Sequence, residues 1–227
     1  DTLNGKKWVF YAKGGKYSPY YSNIHLLVNW LNNGYEIKNF RNKAGKIISY
    51  PRNENYYFLP GLTYTERTTS NLSVRILPKG CAFDTKGPRI SSEKKNNDLV
   101  DMSIFQTRLI GFLVEFTVGS TDTAARDYTP RVISEIPYSK VPNSLEDVCL
   151  ENVNNIWFLR MKDESRIEID NFYSNPKILN FQSDNLYESF KCYQEDRYND
   201  VLTVLNLTYE IEAIVNKSYR LDPSTKS

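Results

Sequence analysis

Around Val141-Pro142 the chain changes character, and that change limits the folds open to it. Upstream, short apolar and aromatic runs alternate with glycine and proline turns; downstream, apolar residues recur at spacings of three and four. Strand-length segments followed by helix-length segments call for an α+β fold. The expectation is a mixed, partly antiparallel sheet with packed helices over residues 1–142, then a mostly helical segment over residues 143–227. Charge divides at the same place. The formal net charge is only +2, yet residues 1–142 hold 20 Lys+Arg against 12 Asp+Glu, and residues 143–227 hold 9 against 15. Such an asymmetry points to a polyanion-binding part and a part that faces protein or solvent.

The local readings follow from the same patterns. Trp8-Val9-Phe10-Tyr11-Ala12 reads as a strand that ends in the turn Lys13-Gly14-Gly15-Lys16, and Ile24 to Trp30 reads as a second strand closed by Asn32-Asn33-Gly34. Residues 35–46 suit a short helix with Ile37 and Phe40 on one face. Alternation in Leu72-Ser73-Val74-Arg75-Ile76, between Pro60-Gly61 and Pro78-Lys79-Gly80, marks strands. From Leu99 to Val118 the spacing of Met102, Phe105, Leu109, Phe112, Leu113 and Phe116 predicts one buried helix. Tyr128 to Ile133 reads as a strand. Asn143 or Ser144 is positioned to cap a helix carrying Val148, Val153, Ile156, Trp157 and Leu159. One or two more helices follow between Asp184 and Tyr219, with Leu186, Phe190, Tyr193, Val201, Leu205, Ile211 and Val215 as apolar positions.

Several function classes find no support. No run of about 18 apolar residues spans a membrane, and the first residues lack a basic stretch followed by an apolar one, so the cytoplasm is the expected compartment. Cys81, Cys149 and Cys192 are odd in number and lack C-x-x-C spacing, which fits reduced thiols and no zinc site. There is no G-x-x-x-x-G-K-[ST], H-E-x-x-H or G-x-G-x-x-G motif. The single histidine, His25, lies in an apolar strand candidate and reads as a satisfied structural histidine. Asp163, Glu164, Glu168 and Asp170 cluster near a helix end and read as a solvated face. No catalytic residue and no metal ligand is assigned.

Duplex recognition needs Lys and Arg for phosphates and Arg, Asn, Gln, Ser or Thr for base edges, and the first part supplies both. Lys13 and Lys16 flank a Gly-Gly turn whose backbone amides can approach a phosphate, although plain hairpins use the same turn. Tyr64, Arg67, Thr68, Thr69, Ser70 and Asn71 form a polar run with a fork-shaped donor, suited to base readout, to backbone clamping or to supporting the sheet. Lys86 can contact phosphate beside the turn-setting Gly87-Pro88. Arg126 is a further candidate, weighed against a salt bridge to Asp127 or Asp122. Tyr17, Tyr20, Tyr21, Tyr56 and Tyr57 can stack on bases or complete the core. A carbohydrate-binding module, suggested by the aromatic residues, fits poorly with the absence of a leader sequence.

A family pattern runs through these residues. Phe58-Leu59-Pro60-Gly61-Leu62-Thr63-Tyr64, Arg67-Thr68-Thr69-Ser70, Val74-Arg75-Ile76-Leu77-Pro78 and Cys81-Ala82-Phe83-Asp84-Thr85-Lys86-Gly87-Pro88 follow one another in order. Lys13-Gly14-Gly15 with Pro19-Tyr20-Tyr21 precedes them; Ala125-Arg126-Asp127-Tyr128 and Ile133 to Tyr138 follow. Trp157, Asp163-Glu164-Ser165, Phe172 to Leu179, Glu210 to Val215 and Tyr219-Arg220-Leu221 extend the pattern to nearly the whole chain. It resembles the C-terminal target-recognition (specificity) region of single-chain adenine-N6 DNA methyltransferases of restriction-modification or BREX-type phage-defence systems. The family's S-adenosylmethionine glycine motif and its [ND]-P-P-[YF] motif are missing; Ser174-Asn175-Pro176-Lys177 is the nearest string. The resemblance implies a DNA target-recognition domain at 1–142 and a helical C-terminal segment at 143–227, without methylation by this chain alone. No cofactor is expected here, S-adenosylmethionine belonging to the parent enzyme. The implied partners are double-stranded DNA and a methyltransferase catalytic domain or another subunit of the defence system. The rival expectation is a protein-interaction module that assembles a defence complex.

Overall fold

Val9 is buried and Tyr11 half-buried while Trp8 and Phe10 are half in solvent, the inside–outside alternation of a strand with one covered face. In the computed structural model, which describes residues 5–91, 98–118 and 125–221, this strand is β1 (Trp8–Ala12). It lies between β2 (Leu27–Asn29), antiparallel, and a strand from much later in the chain, Ala82–Phe83, parallel. Val9 faces Val28, and Tyr11 faces Ala82. A second sheet centres on β3 (Gly61–Thr63), antiparallel to both Arg75–Leu77 and Arg89–Ile90. Between them comes β4 (Arg67–Thr68), so these later strands are β5 (Arg75–Leu77), β6 (Ala82–Phe83) and β7 (Arg89–Ile90); β4 pairs antiparallel with β8 (Arg126–Asp127). The mixed α+β architecture is therefore the one expected.

Several local readings need correction. The turn after β2 opens α1 (Leu31–Lys38), in which Asn32, Asn33 and Gly34 all have left-handed backbone, and the helix stops at Lys38 instead of running to residue 46. Asn39 caps it, its side-chain amide donating to the Tyr35 carbonyl, and beyond it Asn42 Oδ1 accepts from the amides of Ala44 and Lys46 and stabilises a turn closed by Arg41 and Ile47, with Phe40 exposed. The single helix expected over 99–118 is two, α2 (Asp98–Phe105) and α3 (Arg108–Val118). Thr107 breaks it, its hydroxyl donating to the Ile104 carbonyl and accepting from the Ile110 amide. The break shifts the buried face to Val100, Met102, Ile104, Ile110 and Val114, and puts Phe112 and Phe116 at 65% and 80% exposure. Tyr128 to Ile133 is not a strand either. Thr129 accepts from the Val132 amide and Pro130 takes the first position of α4 (Pro130–Ser134), a helix start that outweighs the β-branched residues behind it.

The two last helices are long. α5 (Asn143–Glu164) starts from Pro142 with no side-chain cap, so neither Asn143 nor Ser144 serves as one. α6 (Leu186–Ser218) is one continuous helix of 33 residues capped by Asn185, whose Oδ1 accepts from the Glu188 amide. Its buried residues include Val204, Ile211 and Val215, whereas Leu186, Phe190, Val201 and Leu205 face outward. α2 packs on both α5 and α6. One apolar core joins Tyr20, Leu62, Tyr64 and Val74 to Met102, Ile110, Val153, Ile156, Ile211 and Val215. A smaller one gathers Val9, Trp30, Tyr57, Leu77 and Phe83, with Tyr57 edge-on to both Trp30 and Phe83 at 5.1 Å. Among the described residues no helix is long and apolar enough to cross a membrane.

Candidate nucleic-acid interface

β1 runs straight into the Lys13-Gly14-Gly15-Lys16 turn, and the parallel strand β6 runs into Asp84-Thr85-Lys86-Gly87, so two turns leave the same edge of one sheet side by side. They interlock through glycine. A Cβ on Gly14, whose φ is +80°, would lie 2.5 Å from the Lys86 carbonyl oxygen, and a Cβ on Gly87 would lie 2.5 Å from the Gly14 nitrogen. Asp84 shapes the second turn, its Oδ1 accepting from the amides of Lys86 and Gly87 at 2.8 and 3.1 Å. Lys13, Lys16 and Lys86 are thereby carried on neighbouring turns, all three exposed. The expected cradle of turn amides is not what the glycines make. The Gly15 N–H donates to Thr65 Oγ1 at 3.0 Å, and the Gly14 nitrogen faces the Gly87 backbone.

The polar run 64–71 joins the same edge. The Glu66 amide donates to the Lys86 carbonyl, and the Lys86 ammonium pairs with the Glu66 carboxylate at 2.7 Å, which raises the lysine above its usual range. Strands β4 and β8 then bring Arg67 opposite Asp127 and Thr68 opposite Arg126. Arg67 Nε lies 3.6 Å from Asp127, both well exposed. Arg126 pairs with Glu115 at 3.3 Å and not with Asp127, while Asp122, the other expected partner, lies outside the described residues; Arg126 also donates to the Thr69 carbonyl and to Asn71 Oδ1. The Thr68 hydroxyl accepts from the Ser70 amide, and the Ser70 carbonyl accepts from the Tyr128 hydroxyl, so both shape the loop that presents the exposed Thr69. Tyr64 stands apart from the other candidates. It is 1% exposed in the main core, and its buried hydroxyl has no hydrogen-bond partner. Desolvation there raises the phenol well above its ordinary value.

The edge therefore holds five cations, Lys13, Lys16, Arg67, Lys86 and Arg126, interleaved with the carboxylates of Glu66, Glu115 and Asp127. The exposed Arg67–Asp127 pair is weak and salt-screened, so a phosphate can displace that carboxylate at small cost, whereas Glu66 and Arg126 are partly covered and hold their partners more firmly. Beside it opens a cleft of about 940 Å³ that the sequence reading did not anticipate. Glu66 borders it, and Tyr50, Tyr56, Arg52 and Arg89 form part of its wall. The Arg89 guanidinium lies 5.8 Å over the Tyr56 ring. Its sequence signal, arginine and tyrosine interleaved across residues 50–57, is short and lies outside any strand. Of the other tyrosines, Tyr20, Tyr21 and Tyr57 are core residues, and Tyr17 and Tyr56 are exposed.

The remaining sequence candidates sort by burial. His25 is exposed and precedes β2, not a histidine within an apolar strand. The acidic cluster is not simply a solvated face: Asp170 is buried and accepts from the Tyr21 hydroxyl at 3.0 Å, and Asp163 pairs with Arg166 and Arg197. Cys81 and Cys149 are buried and Cys192 is exposed, all as free thiols. Among the described residues no three His, Cys, Asp or Glu side chains gather as a metal site.

No family model matches the chain. Over 152 residues, 63% of its length, it is 28% identical to the adenine-specific methyltransferase PglX of Lacticaseibacillus casei (strain Zhang), of which it covers 13%. Over 212 residues, 92% of its length, it is 26% identical to the adenine-specific methyltransferase BrxX of Escherichia coli O9:H4 (strain HS), of which it covers 16%. The chain is thus distantly similar to two adenine-specific methyltransferases and spans only a small part of their length.

Proposed function

We propose that this chain is the sequence-specific double-stranded DNA recognition module of an adenine-N6 DNA methyltransferase or restriction-modification enzyme of a phage-defence system. One observation carries the reading: residues 13–16, 67–70, 86 and 126, distant in sequence, are folded onto one edge, where Lys13, Lys16, Arg67, Lys86 and Thr69 are exposed and Arg126, Thr68 and Ser70 are half-buried. Lysines there suit phosphates, and Arg67 and Thr69 suit base edges. The distant similarity to PglX and BrxX supports the same reading, since a chain matching so little of each fits a module better than a complete enzyme. Methyl transfer, and S-adenosylmethionine with it, belongs in this proposal to a catalytic domain outside the chain, into which the target adenine is flipped.

Binding of a fluorescent random-sequence duplex across a salt series tests it. With about four phosphates neutralised, log K falls against log salt with a slope of roughly −3.6. Arg67→Ala that weakens binding to some sequences more than others marks base readout, and a uniform loss marks a phosphate contact. No salt-dependent binding overturns the proposal. That outcome favours a protein-interaction module, for which the specific observation is the outward face of α6, where Leu186, Tyr187, Tyr198 and Tyr209 are all more than half exposed. Its signature is a defined complex with a partner protein.

A further inference from the structure

Between the Lys13–Lys16 turn and the segment leading to β2 lies a cavity of about 30 Å³, bounded by Lys13, Gly14, Ser22, His25, Thr63 and Arg75. Its ionisable nitrogen groups are Lys13, His25 and Arg75, and no carboxylate lines it. Arg75 is 3% exposed. The guanidinium donates to Thr65 Oγ1 at 2.9 Å and to the Lys16 carbonyl at 3.3 Å, two neutral acceptors, and forms no ion pair with a described residue. Buried charges in folded proteins are paired, because an isolated one loses its hydration without return. Among the described residues no counter-charge is supplied. Burial alone lowers the guanidinium's hold on its proton, to about 10.

The surroundings leave a place for the missing anion. A Cβ on Gly15 would stand 4.0 Å, an ordinary contact, from each terminal nitrogen of Arg75, so the guanidinium lies directly under the turn whose Gly14 lines the cavity. The Ser22 hydroxyl and the His25 imidazole donate to no other described residue. A volume this small admits an oxygen atom or two and excludes a base or a sugar.

We propose that this cavity is an anion site for one phosphate group of the DNA backbone. A non-bridging oxygen enters it, Arg75 supplies the buried charge, and Lys13, His25 and Ser22 close around the rest of the phosphate. The site rests on the DNA-binding reading and adds to it a buried residue, Arg75, and two rim residues, Ser22 and His25, that the charge of the surface alone does not reveal. A phosphate at this point fixes where the backbone crosses the Gly14-Gly15 turn and carries no sequence information.

The test uses the full chain labelled with ¹⁵N and two separate titrants, a short random-sequence duplex and inorganic phosphate, followed at the Gly14 and Gly15 amides. The expected result is that the duplex moves both amides. Arg75→Gln and Lys13→Ala each weaken duplex binding about tenfold whatever the sequence, and Arg75→Gln lowers the salt slope by about 0.9. Arg75→Gln is scored only where its thermal melt stays cooperative; His25→Ala, at an exposed position, carries the same expected direction without that risk. If the duplex binds but Gly14 and Gly15 do not move and His25→Ala binds normally, the site is overturned and the DNA reading stands. If the duplex does not bind but inorganic phosphate moves the two amides, the anion site stands and the DNA reading falls. Silence with both titrants removes both.

Discussion

Gly87 has no room for a methyl group, since the nearest atoms are the Gly14 nitrogen, the Lys13 carbonyl carbon and the Ala12 carbonyl oxygen, all backbone. Gly87→Ala must push the two turns apart. It is expected to cost about 1–3 kcal/mol in urea unfolding, and to weaken any ligand that needs Lys13 and Lys86 together. Glu164 shows the opposite kind of residue, one the fold tolerates at a cost. Burial raises its carboxyl, Asp163 and Asp170 add to the rise, and Arg160 and Lys16 offset only part of it. An acid with a raised folded value holds its proton more tightly in the native state than in the unfolded chain. Stability therefore falls as pH climbs from about 4.3 through the raised value, and stays lower at neutral pH. Glu164→Gln is expected to raise Tm at neutral pH and to leave it unchanged in acid well below that window; equal gains at both would show that charge is not the cause. Neither residue's role was legible in the sequence. A Lys-Gly-Pro string shows a turn, but not that another turn lies against it, and an acid near a helix end shows nothing of its burial.

At the scale of elements, α5 and α6 are tied by charge as well as by apolar contact. Lys162 reaches both Asp196 and Asp200, at 2.9 and 2.8 Å, and Arg166 reaches Asp200 at 3.4 Å and Asp163 at 3.1 Å. Arg166 also lies 4.9 Å over the Tyr193 ring. Its side chain is 9% exposed and that of Asp200 17%, so this pair is the part of the group best shielded from salt. Asp200→Asn leaves Arg166 and Lys162 under-compensated. The expected loss is about 1–3 kcal/mol, measured by denaturant unfolding, with Lys162→Met costing less in that background than in the unchanged chain because only its pair with Asp196 is left to break. The long helices α5 and α6 were legible from period, α6 as one or two helices over Asp184 to Tyr219, because three-to-four spacing persists over many turns. Their boundaries and phases were less so. Thr107 and Thr129 redirect the backbone with one or two side-chain hydrogen bonds, and Asn42 shapes the turn beyond α1 in the same way; such bonds compete with the hydrophobic pattern locally without altering it. The outward turn of Phe112 and Phe116 follows from that one break at Thr107.

The whole molecule is held by a core that crosses residue 142. Leu62, Tyr64 and Val74 of the strand-rich part belong to the same buried cluster as Cys149, Val153, Ile156, Ile211 and Val215 of the long helices. Arg108, at the start of α3, forks onto the buried Glu212 of α6, with Nε 2.9 Å from both carboxylate oxygens. Residues 1–142 expressed alone are expected to show no cooperative thermal transition, by circular dichroism, because the apolar faces of α2 and β3 lose their cover; a cooperative melt would refute the dependence. The charge division at the same residue is thus a surface property laid over a shared interior. The sequence by itself determined the mixed fold class and the two long helices, since glycine, proline and apolar period act over a few residues; all ten glycines precede residue 120 and the helical stretch has none. It also determined the charge bias and the supply of cations and hydroxyls. Only the tertiary structure decided which of them meet: that Lys13 and Lys86 share an edge, that Tyr64 faces inward, that carboxylates interleave with the arginines, and that Arg75 lies buried beside His25 without a counter-charge. The reason is physical. Propensity and period are local, whereas the position of a charge relative to other charges and to water depends on strand pairing between segments far apart in the chain.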